Sequence, residues 1–194
     1  MDTFVFFIRE GFLHVMDWNA YDHILFLIAL VVVYDLRNWK KVLWLITLFT
    51  LGHTISLLLA TYKILLVDSK WVELFIPLTI LITALSNIFF SKPGTTKSAP
   101  PINLFFAVFF GLIHGLGFSG YFNMIVGKSS TKFIPLLEFA LGVEFSQVLL
   151  VVLVLLLGAV FQSLFRFSKR DWILVSSAMV IGMLVPILEK AVFW

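Results

Sequence analysis

Four histidines, His14, His23, His53 and His114, punctuate a chain that is otherwise strongly apolar. Two of them, with Asp17 and Asp22, crowd the stretch "HVMDWNAYDHILFLIAL", residues 14–30, at the entrance to the first long apolar run. His53 falls near the middle of the second run, in "FTLGHTISL", and His114 near the middle of the fourth, in "FFGLIHGLGFSGYF". The fifth run holds Glu138 and Glu144 in "LLEFALGVEFSQ", with Gln147 one turn beyond Glu144 and so on the same helical face. Imidazoles and carboxylates are expensive in hydrocarbon; where they persist they face a bundle interior or a cavity and by default mark a functional site. With no cysteine in the chain, disulfides and thiolate ligands are excluded. Imidazole plus carboxylate without sulfur suits a borderline divalent ion: Ni²⁺, Co²⁺ or Zn²⁺.

Neighbouring residues support an inward aim. Thr50 and Ser56 flank His53 at three residues on either side, and Gly111 and Gly117 flank His114 at the same spacing. Small residues let a second helix backbone approach closely, and Gly142 offers the same near Glu144. Each polar residue also has a plainer reading. Asp22 suits an N-cap or first helical turn, Asp17 and Asn19 suit an interfacial turn, and Glu138, close after Pro135, suits a cap or an interface. A lone histidine can simply bond across helices. Those readings require a separate explanation for each of the four histidines and Glu144, whereas one shared polar site accounts for them together.

These residues must be positioned by membrane helices. The 194-residue chain is 61% hydrophobic and only 13% charged, about half the usual share of charge for a soluble domain, and its mean hydropathy is +1.05. Six apolar segments, about 21–35, 41–62, 71–91, 103–126, 133–163 and 171–188, have roughly the length that crosses about 30 Å of hydrocarbon as helix. Backbone groups in lipid must be satisfied internally, and barrel-type alternation is absent, so the expected fold is all-α. The expectation is one integral-membrane domain over 1–194: a polytopic six-helix bundle at 21–188 behind a short amphipathic segment at 1–20. Phe4, Phe7, Ile8, Phe12 and Val15 give that segment an apolar face, fit to lie in the interface or to dip re-entrantly into the bundle. No cleavable signal peptide is evident in "MDTFVFFIREGF". The polar stretch "SKPGTTKSAPP" divides the bundle into two three-helix halves without a sequence repeat.

Arg37, Lys40, Lys41, Lys92, Lys97, Arg166, Lys169 and Arg170 lie in the first, third and fifth connections, against Lys63, Lys70, Lys128 and Lys132 in the second and fourth. The positive-inside rule then places the odd connections in the cytoplasm and both termini outside, as expected in a bacterial inner membrane. The net charge of +3 reflects these connections; no basic patch interleaved with aromatics suggests nucleic acid. Met179 and Met183, spaced i,i+4, would suit Cu(I) but read better as apolar packing. Pro186 is expected to kink or end the last helix, and Trp172 and Trp194 to anchor at the interface.

The four blocks "HVMDWNAYDHILF", "TLGHTISL", "FFGLIHGLGFSGYF" and "LLEFALGVEFSQ" resemble, in order, the HupE/UreJ family, membrane proteins associated with hydrogenase and urease gene clusters and regarded as nickel or cobalt transporters. The resemblance runs from about Gly11 to Gln147, and the Asp22-His23 pair is similar to the histidine-aspartate-histidine signature of nickel/cobalt permeases. The interval from His14 to Asp22-His23 is longer than in the hydrogenase-linked members. The resemblance implies His14, Asp22, His23, His53, His114 and Glu144 as metal-site residues, with Gln147 and Ser119 behind them.

Two active readings follow, and one passive. In a permease, the ion enters near His14 and Asp17, meets Asp22 and His23, and passes to His53, His114 and Glu144. In a zinc-dependent intramembrane hydrolase, three histidines, an aspartate and the Ser119 or Ser56 hydroxyl hold Zn²⁺ with one position open, and Glu144 or Asp22 acts as base. A structural or sensory subunit would use the cluster only to lock helices together. The partners expected are the metal ion and the lipid bilayer, with a second copy of the chain left open. His23, His53 and His114 are predicted to converge within about 10 Å, the limit for a shared ion bound at about 2 Å per ligand.

Overall fold

The computed structural model describes residues 3–91, 102–127 and 131–192. Among these residues the chain forms eight α-helices and one short 3₁₀ turn, with no strand. Four helices follow the long apolar runs: α3 (Trp39–Thr61), α4 (Ser69–Phe90), α7 (Phe133–Ser163) and α8 (Lys169–Val192). The shortest of them has 22 residues, about 33 Å at 1.5 Å per residue, so each can cross the hydrocarbon core. Their starts are locally encoded. The Asp68 carboxylate accepts a hydrogen bond from the Lys70 amide (3.0 Å) ahead of α4. Ser168 and Asp171 bond reciprocally through each other's backbone amides (3.1 and 3.2 Å), forming a capping box at α8. Along α7, Leu141, Phe145, Leu149, Val152, Leu156 and Val160 are exposed and face outward, which only a hydrocarbon solvent makes favourable at this density.

The other elements correct the expectation of six straight spans. The segment at 21–35 yields α2 (Asp22–Val31), a helix of 10 residues, about 15 Å long and half the hydrocarbon thickness. Apolarity continues through Val32 and Val33, but the backbone leaves the helix there and turns through the 3₁₀ segment Leu36–Asn38. Asp35 is then held by Lys169 at the start of α8 (2.7 Å). The segment at 103–126 is broken into α5 (Ile102–Gly117) and α6 (Ser119–Val126), bent by 55° at Phe118. Among the described residues there are thus four straight candidate spans, or five with the bent pair.

The N-terminal segment forms α1 (Thr3–Val15), tucked against α7 with Phe7, Gly11 and Val15 buried. Its contact is backbone to backbone: a methyl on Gly11 would overlap the Phe139 carbonyl, and one on Gly142 the Ile8 carbonyl. Helix α3 meets α5 in the same way. A methyl on Gly52 would strike the Val108 carbonyl, one on Gly111 the Phe49 carbonyl, and one on Gly115 the His53 carbonyl. Gly117 instead faces the Ile76 and Val72 side chains of α4, so the close-approach pair on α5 is Gly111 and Gly115, a G-x-x-x-G spacing. Helix α2 is buried along nearly its whole length and packs against α4, α7 and α8, as an element apolar all round must be. Asn87 of α4 donates to the Ala29 carbonyl (2.7 Å), fixing it.

Helix α8 runs on through Pro186 to Val192 and does not end at the proline, which membrane helices tolerate. Met179 and Met183 are exposed on its outer face. Trp172 stacks on Phe161 at 5.3 Å in the first turn of α8. Trp194, Lys128 and the linker with Lys92 and Lys97 lie outside the described residues.

Candidate metal centre

The two half-length helices meet at their histidine-bearing ends. His14 closes the last turn of α1, and Asp22 and His23 open α2, so the chain between them brings His14 and His23 to a ring separation of 4.5 Å. Asp22 is a first-turn residue and not the N-cap, a position taken by Tyr21. His53 comes from α3 and His114 from the last turn of α5, the two helices that the glycines let touch.

The four imidazoles form one cluster. Ring centroids lie 5.7 Å apart for His14 and His53, 5.9 Å for His23 and His53, and 5.1 Å for His23 and His114. His23, His53 and His114 are buried, and His14 and Asp22 are half-buried. Two sets of ligand atoms draw within 4.8 Å of one another: His14, His23 and His53, and separately Asp22, His23 and His114. Asp22 Oδ1 lies 3.4 Å from His23 Nδ1. The walls are aromatic: Phe118 sits 3.8 Å from His14, Phe139 contacts His14 and His53, and Phe49 and Phe26 contact His114. Five ring nitrogens are buried without a hydrogen bond: His14 Nε2, His23 Nδ1 and Nε2, His53 Nε2 and His114 Nδ1. Such a donor set, three ligands to a group in an aromatic-walled pocket, can hold a divalent transition ion and leave a coordination position open.

The family described as HupE / UreJ protein matches residues 1–188. The chain belongs to that family. No curated protein and no solved structure matches it. HupE/UreJ membership implies a nickel- or cobalt-handling accessory or transport role at a membrane, and the grouped histidines and aspartate agree with that coarse reading.

Not every residue that the HupE/UreJ resemblance implied joins the cluster. Glu144 belongs to neither ligand group among the described residues. Its two oxygens accept hydrogen bonds from Thr47 (2.6 Å) and Thr50 (2.5 Å) of α3. The reason is helical phase. Phe139 stacks on His53, and Glu144 follows five residues later, about 500° around α7 and about 7.5 Å along it. Gln147 joins the same station through Thr50 (3.2 Å), so it backs Glu144 and not an imidazole. Ser119 donates to the Leu116 carbonyl (2.9 Å) and Ser56 to the His53 carbonyl (3.1 Å); neither hydroxyl bonds a ring nitrogen. The Asp17 carboxylate accepts from the Asn19 amide (2.8 Å) in a local turn. Glu138 lies beyond the first turn of α7, whose N-cap is Lys132, so it is no cap.

Thr79 is the residue that the sequence reading missed. Its hydroxyl lies 3.4 Å from His114 Nε2 while donating to the Ile76 carbonyl. The signal was the stripe Thr79, Thr83 and Asn87 at i,i+4 spacing along α4, one polar face on an apolar helix.

Proposed function

We propose that the chain binds and transports a divalent transition-metal ion, nickel or cobalt in type, through the His/Asp cluster, with the ion as cargo. The observation that carries this reading is the set of five buried ring nitrogens without hydrogen bonds. A helix lock would spend them on bonds between helices. Left unmade, each costs about 1–3 kcal/mol, together on the order of the whole net stability of a domain. A bound dication converts that liability into coordination. Three protein ligands per group, without a closed tetrahedral cage, hold an ion weakly enough to let it leave.

The surroundings favour passage over catalysis. His53 is about 12 Å from the end of α3 at the second connection and about 21 Å from its start, so the cluster sits toward the proposed outer face. From His53 the polar residues Thr50 and Thr47 descend α3 in steps of one turn toward its start. The hydrolase reading asks for a hydroxyl and a base at the ion: Ser119 and Ser56 bond backbone carbonyls, Glu144 bonds Thr47 and Thr50, and Asp22, the one carboxylate in a ligand group, would have to leave the ion to act as base. The proposed setting is the bacterial inner membrane, with odd connections cytoplasmic and both termini outside.

Proteoliposomes holding the purified chain, with and without a pH gradient, test this. Radiolabelled Ni²⁺ or Co²⁺ should accumulate above the level of empty liposomes, and His23→Ala, checked as monodisperse, should abolish the difference. Uptake by the wild type no greater than that of empty liposomes for Ni²⁺, Co²⁺ and Zn²⁺ alike overturns the transport reading.

A further inference from the structure

The two ligand groups share one residue, His23. His14 and His53 complete one group, Asp22 and His114 the other, so the cluster is two three-ligand positions hinged on one imidazole. Phe49 stands between the outer arms. Its ring contacts His53 at 6.4 Å and His114 at 5.3 Å, while those two histidines make no ring contact with each other among the described residues. A single ion, whose ligand atoms must lie about 2 Å away, is therefore offered one group or the other.

We propose that His23 is a pivot ligand: a single ion is held first by His23 with His14 and His53, then by His23 with Asp22 and His114. The inference rests on the transport reading and gives it a step. Three observations argue for alternation over two ions at once. A neutral imidazole has one lone pair to offer, its second nitrogen carrying the proton. Both His23 nitrogens are buried without a hydrogen bond, Nδ1 lying 3.4 Å from Asp22 Oδ1, and the ion stays on one of them throughout while the other keeps the ring proton. Asp22 is the sole carboxylate in either group, and one carboxylate cannot balance two dications held a ring's width apart. In the exchange, bonds to the His14 and His53 nitrogens are released as bonds to an Asp22 oxygen and a His114 nitrogen form. No redox change occurs, and the ion gains the counter-charge of Asp22 on moving.

Calorimetric titration of the purified full-length chain with Ni²⁺ alone tests the pivot. Expected are one ion per chain in the wild type and one ion in each of His53→Asn and His114→Asn, with the variant that keeps the tighter position within about twofold of wild-type affinity, because two alternative positions add in the association constant. Binding should be lost in His23→Asn and in the double variant. The two single variants should also lose liposome uptake while still binding, because each retains one position and lacks the next. Two ions per chain at saturation overturns alternation. So does a loss of about tenfold or more in both single variants, which would mean one joint site. Wild-type affinity in the His53→Asn/His114→Asn double variant removes both histidines and the pivot with them. A wild type that binds no Ni²⁺ sinks the transport reading as well, so the two failures are distinguishable. X-ray absorption on the Ni²⁺-loaded wild type needs no variant: at most three imidazoles per ion are expected, and four overturn the proposal.

Discussion

At the scale of single residues, charge and helical phase decide what each polar group does. Two dications about 6 Å apart repel by roughly 11 kcal/mol even at an effective dielectric of about 20, so a cluster with one carboxylate favours one ion. That carboxylate is Asp22, which stands in a ligand group while Glu144 does not. Asp22→Asn should therefore weaken Ni²⁺ binding by about 10- to 100-fold, whereas Glu144→Gln should leave the dissociation constant within about threefold of wild type. The Glu144 variant keeps the shape that Thr47 and Thr50 hold, and its effect should fall on uptake. Calorimetry on both variants checks the contrast, and equal losses would put Glu144 back at the ion. The histidines were legible in the sequence because an imidazole inside an apolar run has few explanations. Glu144 lies in neither ligand group among the described residues, and the sequence could not show this because depth along a helix says nothing about direction around it. Thr79 was overlooked because a single membrane threonine is commonplace; only its repeat with Thr83 and Asn87 carried information.

At the scale of elements, the cluster depends on two glycine contacts, α1 on α7 and α3 on α5. Every added methyl tested there meets a backbone carbonyl, which cannot rotate away as a side chain can. Gly142→Ala and Gly111→Ala should thus destabilise the chain by about 1–3 kcal/mol, the usual range for overpacking. They should also weaken Ni²⁺ binding, since the first displaces His14 and the second parts His53 from His114. Gly182, where an added methyl meets nothing within 4 Å, is the control: Gly182→Ala should be neutral or stabilising by about 0.5–1 kcal/mol. Thermal unfolding in detergent with parallel titration reads both effects. The long helices α3, α4, α7 and α8 were legible to within a few residues because apolar length and helix length coincide in them. The breaks were not, because hydropathy records composition and not backbone continuity. After Val31 the apolar run continues while the helix stops, and the chain turns through Leu36–Asn38 with Asp35 in contact with Lys169 at the start of α8. The break at Phe118 left a fainter trace, the glycines at 115, 117 and 120 within one short stretch.

At the scale of the whole molecule, the same ion pair bears on how the bent helices count. Asp35 follows α2 and Lys169 begins α8, and their contact at 2.7 Å puts the first and fifth connections at one end of the bundle. Between them lie α3, α4, the α5–α6 pair and α7. An even number of crossings returns the chain to the same side, so with α3, α4 and α7 as spans the prediction is that the bent pair crosses as well; as a re-entrant loop it would leave three crossings and opposite faces. Labelling tests this with little interference, because the chain has no cysteine and any introduced thiol is the sole one. Val67, in the second connection, is 43% exposed, and Phe165, in the fifth, is 59% exposed. The expectation is that Val67→Cys reacts with a membrane-impermeant maleimide in intact cells, and Phe165→Cys only after permeabilisation. Labelling of both from one side would make α5–α6 re-entrant, and the reversed pattern would invert the orientation drawn from the loop lysines and arginines. That orientation also sets the direction of the proposed route: with Val67 outside, the histidine cluster lies nearer the external end of α3, and Thr50 and Thr47 lead from it toward the cytoplasm.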